Sequence, residues 1–277
     1  MKRLEALLRR DRKTLVAYLC VGDPSVDESL DLARACVAAG ADVLELGVPF
    51  SDPTADGPAI ERASHRAIAA GGGLAATLRV AKAVRATAPD VGLVIFGYYN
   101  PIFVYGEERA VRDAAAAGVD ALLVVDLPPE EAQPLRALAA AQGLGIVPLL
   151  APTSRDERIA LVKAVAEKAP IPFVYYVSMT GVTGRDGVDA AEAGKRAASL
   201  REALGLPVVV GFGIDSRDKA HAAAGVGGRA DGVVVGSALV RAIEQGPSPQ
   251  ARRESVERIL RDLAAGLASG PAAPSPS

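Results

Sequence analysis

Apolar residues fall along this chain in eight short runs, at 15–21, 42–48, 92–98, 121–127, 145–150, 173–178, 207–212 and 232–235. Each is rich in Val, Leu or Ile, and each ends near Gly, Pro, Asp or Asn. Aliphatic runs bounded by turn formers predict strands. Most are apolar at odd and even positions alike, the pattern of parallel strands covered on both faces. Between them lie Ala-, Leu- and Arg-rich segments at 26–39, 75–87, 107–117, 130–142, 156–168, 189–204 and 216–224. Their apolar positions recur three and four apart, which predicts amphipathic helices. Gly40, Gly118 and Gly143 stand just before the next strand, where a left-handed residue stops a helix.

Parallel neighbours need right-handed helical crossovers, and eight such units close on themselves as a (β/α)8 TIM barrel of the α/β class. A doubly wound open sheet is the alternative, but eight is the closing number. The 277 residues would suit one barrel or two smaller domains. No linker interrupts the alternation, so a single barrel domain over 1–268 is predicted. Residues 1–12 read as an extra N-terminal helix over the barrel's bottom, and 269–277 as a disordered tail.

Charge and cysteine content narrow the classes of partner. A net charge of -2 and a pI near 5.8 give no electrostatic reason to bind nucleic acid or an anionic membrane. The N-terminal MKRLEALLRRDRK interrupts its leucines with charges, which suits neither a signal peptide nor a membrane span, so the cytoplasm is expected. Cys20 and Cys36 form no CxxC pair, and His65 and His221 lie far apart, so no zinc-ligand spacing exists.

In a barrel, working residues sit at the C-terminal ends of the strands. The second run places Glu45 inside an otherwise apolar strand. Burying an ionised carboxylate without a partner is costly and raises its pKa, which suits a group that donates and accepts protons near neutrality. A buried Arg or Lys holding Glu45 for structure is the plainer alternative. The loop that follows carries Asp52 and Asp56, which read either as turn and cap residues or, for Asp56, as a second carboxylate over the same mouth. Glycine-rich segments follow the last three strands: Gly181–Gly184, Gly211–Gly213 and Gly236-Ser237. Glycines let backbone N–H groups approach an anion, and Ser237 would open a helix whose N-terminus favours phosphate. The seven lysines all fall in helices or bottom-face turns, which leaves none to form a Schiff base. Both histidines sit in helical stretches. The pattern points to carboxylate acid/base chemistry on a phosphorylated small molecule, with no metal and no Schiff base.

The stretch ELGVPFSDPTADGP at 45–58 resembles the tryptophan synthase alpha subunit family, together with GDP at 22–24, SMTGVTG at 178–184, GFGI at 211–214 and VGSALV at 235–240. The likeness runs from about Leu4 to Leu267. It implies a lyase that cleaves indole-3-glycerol phosphate to indole and glyceraldehyde 3-phosphate by a retro-aldol route. Glu45 matches the acid/base that protonates the indole ring carbon, and Asp56 the carboxylate at the indole N–H. Thr183 matches an orienting residue on a lid at 179–187; Tyr18, Tyr98 and Tyr175 match the indole pocket. Gly184, Phe212, Gly213, Gly236 and Ser237 match the phosphate site. The resemblance further implies that the barrel mouth docks, through Asp52, Pro53, Asn100 and Pro128, on a beta subunit in an alpha2beta2 heterotetramer. That subunit carries pyridoxal phosphate, this chain carries no cofactor, and indole passes between them through a tunnel. Cys20 and Thr54 depart from commoner family residues, Thr and Leu, which bears on pocket shape and docking. Two other readings remain: a different phosphate-binding barrel, which would need a Lys, His or Cys at a strand end, and a subunit that has lost catalysis.

Overall fold

The computed structural model describes residues 1–177, 189–211, 213–225 and 229–268. Among the described residues nine strands make one sheet: β1 (Thr14–Cys20), β2 (Val43–Gly47), β3 (Gly92–Gly97), β4 (Ala121–Val124), β5 (Gly145–Ile146), β6 (Leu149–Leu150), β7 (Val174–Val177), β8 (Val208–Gly211) and β9 (Gly232–Val235). Among the described residues the helices α1 (Lys2–Leu8), α2 (Val26–Ala38), α3 (Pro58–Ala69), α4 (Leu74–Thr87), α5 (Tyr99–Tyr105) and α6 (Glu107–Ala116) lie in the first half. The second half holds α7 (Gln133–Ala141), α8 (Asp156–Ala166), α9 (Ala190–Leu204), α10 (Arg217–Ala224), α11 (Ser237–Gln245) and α12 (Pro249–Ala268).

Every strand pairing is parallel, in the order β5-β4-β3-β2-β1-β9-β8-β7-β6. The two ends of that order are consecutive in the chain. Between them Val147 N–H donates to Leu122 O at 2.9 Å, and Tyr175 N–H donates to Pro148 O at 3.0 Å. The ring therefore closes through one broken strand, and the fold is the eight-unit barrel. The run at 145–150 is split because Pro148 has no N–H to give the ladder.

Two apolar layers explain why the strands are apolar on both faces. Val16, Tyr18, Val43, Val94, Leu123, Phe173, Val209 and Val234 fill the barrel, while Leu15, Ala17, Leu44, Leu46, Ile95 and Val210 pack under the helices. Alternation along a strand assigns each residue to one layer. Below, Leu4 and Leu7 of α1 close the barrel over Gly92, where a side chain would meet Leu4 Cδ2 at 2.6 Å. Asp120 anchors that end: it receives Arg3 at 2.7 Å, Arg85 at 2.8 Å and the N-terminal amine at 3.2 Å. The N-terminal helix thus ends at Leu8 rather than running to residue 12, and its place at the bottom is as expected.

The helix stops at Gly40, Gly118 and Gly143 all have positive φ, at 105°, 80° and 74°. The sequence reading missed α3, α5 and α12. Pro58 and Pro101 look like breaks, yet each lies in a first turn, where a missing N–H costs nothing. The helix expected over 130–142 starts only at Gln133, after the Pro128-Pro129 turn. The runs at 42–48 and 121–127 give strands ending at Gly47 and Val124 because their last residues turn into the loops that follow. The expected tail at 269–277 lies outside the described residues.

Candidate active site

Parity decides what reaches the barrel mouth. Val43 faces inward, so Glu45 does too, and the register sets Tyr18 and Val94 beside it on β1 and β3. Glu45 is 0% exposed, and neither carboxylate oxygen has a hydrogen-bond partner among the described residues. Burial among apolar and aromatic walls pushes its carboxyl up to about 8. Among the described residues no arginine or lysine holds it, as a structural ion pair would require.

Asp56 comes from the loop after β2. Thr54 N–H donates to Asp52 O at 2.9 Å and Asp56 N–H to Pro53 O at 3.0 Å, two tight turns that swing Asp56 back over the mouth before α3 starts. Desolvation pushes its carboxyl up to about 6, against the pull of the Tyr98 hydroxyl, which donates to Oδ2 at 3.2 Å. That hydroxyl also accepts the Ala55 N–H at 3.0 Å. Asp56 is therefore neither a helix cap nor a free turn residue.

Glu45 and Asp56 line one cleft together with Tyr18, Tyr175, Gly213, Gly236 and Ser237. The Tyr18 ring lies over Gly47 and meets Phe96 edge-on, with centroids 5.3 Å apart at 79°. Tyr175 lies over Gly211 in the same way, and burial raises both phenols well above the ordinary tyrosine range. Ser237 is the first residue of α11, so that helix aims unpaired N–H groups at the cleft, and Gly213 takes a positive φ of 74° beside it.

Several expectations need adjusting. Tyr98 is not among the described residues that line the cleft; it stands behind Asp56 and donates to its carboxylate. Thr183, Gly184, Phe212 and the lid at 179–187 lie outside the described residues. Of the docking positions, Asp52, Asn100 and Pro128 are exposed after their strands, whereas Pro53 is buried within this chain. Residues that the sequence reading passed over also contribute: Ile60, Phe96, Ile214 and Val234 line the cleft. Phe96 could have been found by counting two from Val94. On α5, next to Asn100, Phe103 and Val104 are 63% and 77% exposed, an apolar patch on the mouth side.

Cys20 and Cys36 are buried free thiols. Among the described residues no three His, Cys, Asp or Glu side chains gather as a metal site. His221 packs between helices, its Nδ1 3.3 Å from Gly266 O. No single described helix is long and apolar enough to cross a membrane.

The family model of the tryptophan synthase alpha chain matches residues 4–267. The alpha chain of Geobacter sulfurreducens is 49% identical over 249 residues, covering 90% of this chain and 91% of that one. The tryptophan synthase subunit alpha of Legionella pneumophila superposes with a TM-score of 0.82 at 32% identity, over 96% of this chain and 97% of the other. A chain of Mycobacterium tuberculosis tryptophan synthase does so with a TM-score of 0.82 at 35% identity, over 97% and 98%.

Proposed function

Since this chain belongs to the tryptophan synthase alpha chain family, a lyase subunit that catalyses the alpha reaction of tryptophan biosynthesis, we propose that Glu45 and Asp56 carry out that reaction. The substrate is indole-3-glycerol phosphate. The observation that carries the reading is the pairing of a fully buried Glu45, without a hydrogen-bond partner among the described residues, with Asp56 over a cleft that ends at the α11 N-terminus.

With its carboxyl pushed up to about 8, Glu45 is largely protonated at neutral pH and can give its proton to indole C3. The ring becomes an indoleninium cation with positive charge on nitrogen. Asp56, ionised above about 6, accepts the indole N–H and stabilises that charge. The side-chain hydroxyl next to C3 then loses its proton to the Glu45 carboxylate just formed. Its oxygen becomes the aldehyde, the bond from C3 to the side chain breaks, and the bonding pair returns to the ring and neutralises the nitrogen. Indole and glyceraldehyde 3-phosphate leave, and Glu45 is protonated again. Tyr18, Phe96 and Tyr175 supply the apolar walls for the indole; Gly213, Gly236 and Ser237 hold the phosphate.

The reading extends to the assembly. The chain works in complex with a beta subunit, in an alpha2beta2 arrangement that receives indole through a tunnel at the barrel mouth. Pyridoxal phosphate belongs to that partner and this chain needs no cofactor of its own. The exposed Asp52, Asn100 and Pro128 support docking on this face, and the absence of any apolar spanning helix among the described residues is compatible with a cytoplasmic setting. Indole release from indole-3-glycerol phosphate, measured on the purified chain with and without a beta subunit, tests the reading. Slow release alone and faster release with the partner are expected; no release in either condition overturns it.

A further inference from the structure

Outside the broken strand α8 buries a single side chain, Val162. Between β4, β5, β6 and the helices α7 and α8 a cavity of about 200 Å³ remains, and it shares no lining residue with the Glu45 cleft. Its walls are aliphatic, with Val124, Ile146, Val162 and Ile171 among them. Three charged residues reach it. Arg158 is neutralised by Glu130 at 3.1 Å, and Asp126 Oδ1 accepts the Tyr99 N–H at 2.7 Å. Arg136 is different: its Nη2 donates to Pro129 O at 3.0 Å, and it has no ion pair among the described residues.

A guanidinium offers five donors in a planar fork, and here the described residues use only one. Half-burying that charge against an apolar wall with no ion pair among the described residues is unfavourable, and desolvation lowers the Arg136 pKa accordingly. An anion that enters the cavity would relieve the cost. The aliphatic walls favour an apolar body behind the charge, and the planar fork favours a carboxylate. We propose that this cavity binds a small amphipathic carboxylate, with its apolar body against Val124, Ile146 and Val162 and its carboxylate on Arg136. The site is separate from the catalytic cleft, and its proposal does not depend on the roles given to Glu45 and Asp56.

Isocaproate and its uncharged amide, isocaproamide, are suitable probes of equal shape. Titration of each into nitrogen-15-labelled full-length protein is followed on the backbone amides of Ala132 and Val147. Isocaproate should shift both saturably, and isocaproamide should bind roughly tenfold more weakly, equivalent to about 1.4 kcal/mol. Arg136→Gln should weaken isocaproate by a similar factor. Val162→Phe fills the cavity, leaves Arg136 in place, and should abolish binding. Equal affinity for acid and amide, unchanged affinity in Arg136→Gln, shifts confined to the Glu45 cleft, or no saturable shift would each overturn the proposal.

Discussion

The Tyr98 hydroxyl stands between Asp56 and the loop that carries it, donating to Asp56 Oδ2 at 3.2 Å while accepting the Ala55 N–H at 3.0 Å. One group thereby fixes the loop's backbone and stabilises the charged form of its carboxylate. Tyr98 is itself fixed: it precedes α5, and its ring packs on Phe50 with centroids 5.1 Å apart.

Removal of that hydroxyl therefore has a signed consequence. The chemistry needs Asp56 ionised and Glu45 protonated, so kcat/KM should be bell-shaped in pH, with limbs near 6 and near 8. Tyr98→Phe withdraws a hydrogen bond that lowers the Asp56 pKa, so the acid limb should move up while the alkaline limb stays. A charge-assisted hydrogen bond of about 1.5–3 kcal/mol corresponds to roughly one to two pKa units, so kcat/KM at neutral pH should fall about two- to tenfold. An acid limb unchanged in Tyr98→Phe would remove Tyr98 from this positioning role.

Glu45→Gln keeps shape and removes the proton donor. General acid–base contributions are typically about 10²–10⁴-fold, and a drop of that size in indole release is expected with KM little altered. Wild-type turnover in this variant would end the acid/base assignment.

The same substitution should stabilise the fold in alkali. Glu45 has a folded pKa near 8 against an ordinary 4.5, so the folded state holds the proton more tightly than the unfolded chain. Its stability contribution is intact below about 4.5, is lost as pH rises through about 8, and stays lost above it. Glu45→Gln has no charge to bury. Denaturant unfolding at pH 9 should show the variant more stable than wild type by several kcal/mol, and the gap should close near pH 4. A gap independent of pH would show that Glu45 is not buried as an acid.

At the phosphate end, Ser237→Asp sets a carboxylate on the first residue of α11, where the unpaired N–H groups face the cleft. Like charges at such a site cost several kcal/mol, so KM should rise roughly tenfold or more with a smaller effect on kcat. Unchanged KM would place the phosphate elsewhere.

Gly211 has no room for a methyl group, because a Cβ there would fall on the Tyr175 hydroxyl. Gly211→Ala should push the Tyr175 ring into the cleft, lowering activity together with a loss of about 1–3 kcal/mol in stability from overpacking. Gly205→Ala tests crowding against mere loss of a glycine: its Cβ would meet nothing within 4 Å, so only the strain of its positive φ remains and activity should survive. Equal activity in Gly211→Ala and wild type would show that Tyr175 does not shape the site.

Much of the fold was legible in the sequence because its signals are local. Eight apolar runs, the glycine stops at Gly40, Gly118 and Gly143, and the three-four spacing between them suffice for a parallel barrel, since each reports only on its own few residues. Helices α3 and α5 were illegible because Pro58 and Pro101 break helices in general and are harmless only in a first turn, which cannot be recognised until the turn is seen. The strand split at Pro148 likewise depends on which neighbour would have received the missing N–H.

The sequence by itself therefore determined the eightfold alternation, Glu45 as a carboxylate within an apolar strand, and the helix opened by Ser237. Tertiary structure alone decided that Glu45 has no counter-charge among the described residues, that Asp56 swings back over it, that Tyr98 holds Asp56 from behind, that Pro53 is buried, and that Arg136 borders a cavity without an ion pair among the described residues. The division has a physical reason. Propensity and periodicity act between residues a turn or a strand apart, whereas a pKa, a hydrogen-bond partner or a buried surface is set by groups that the chain brings together from dozens of residues away.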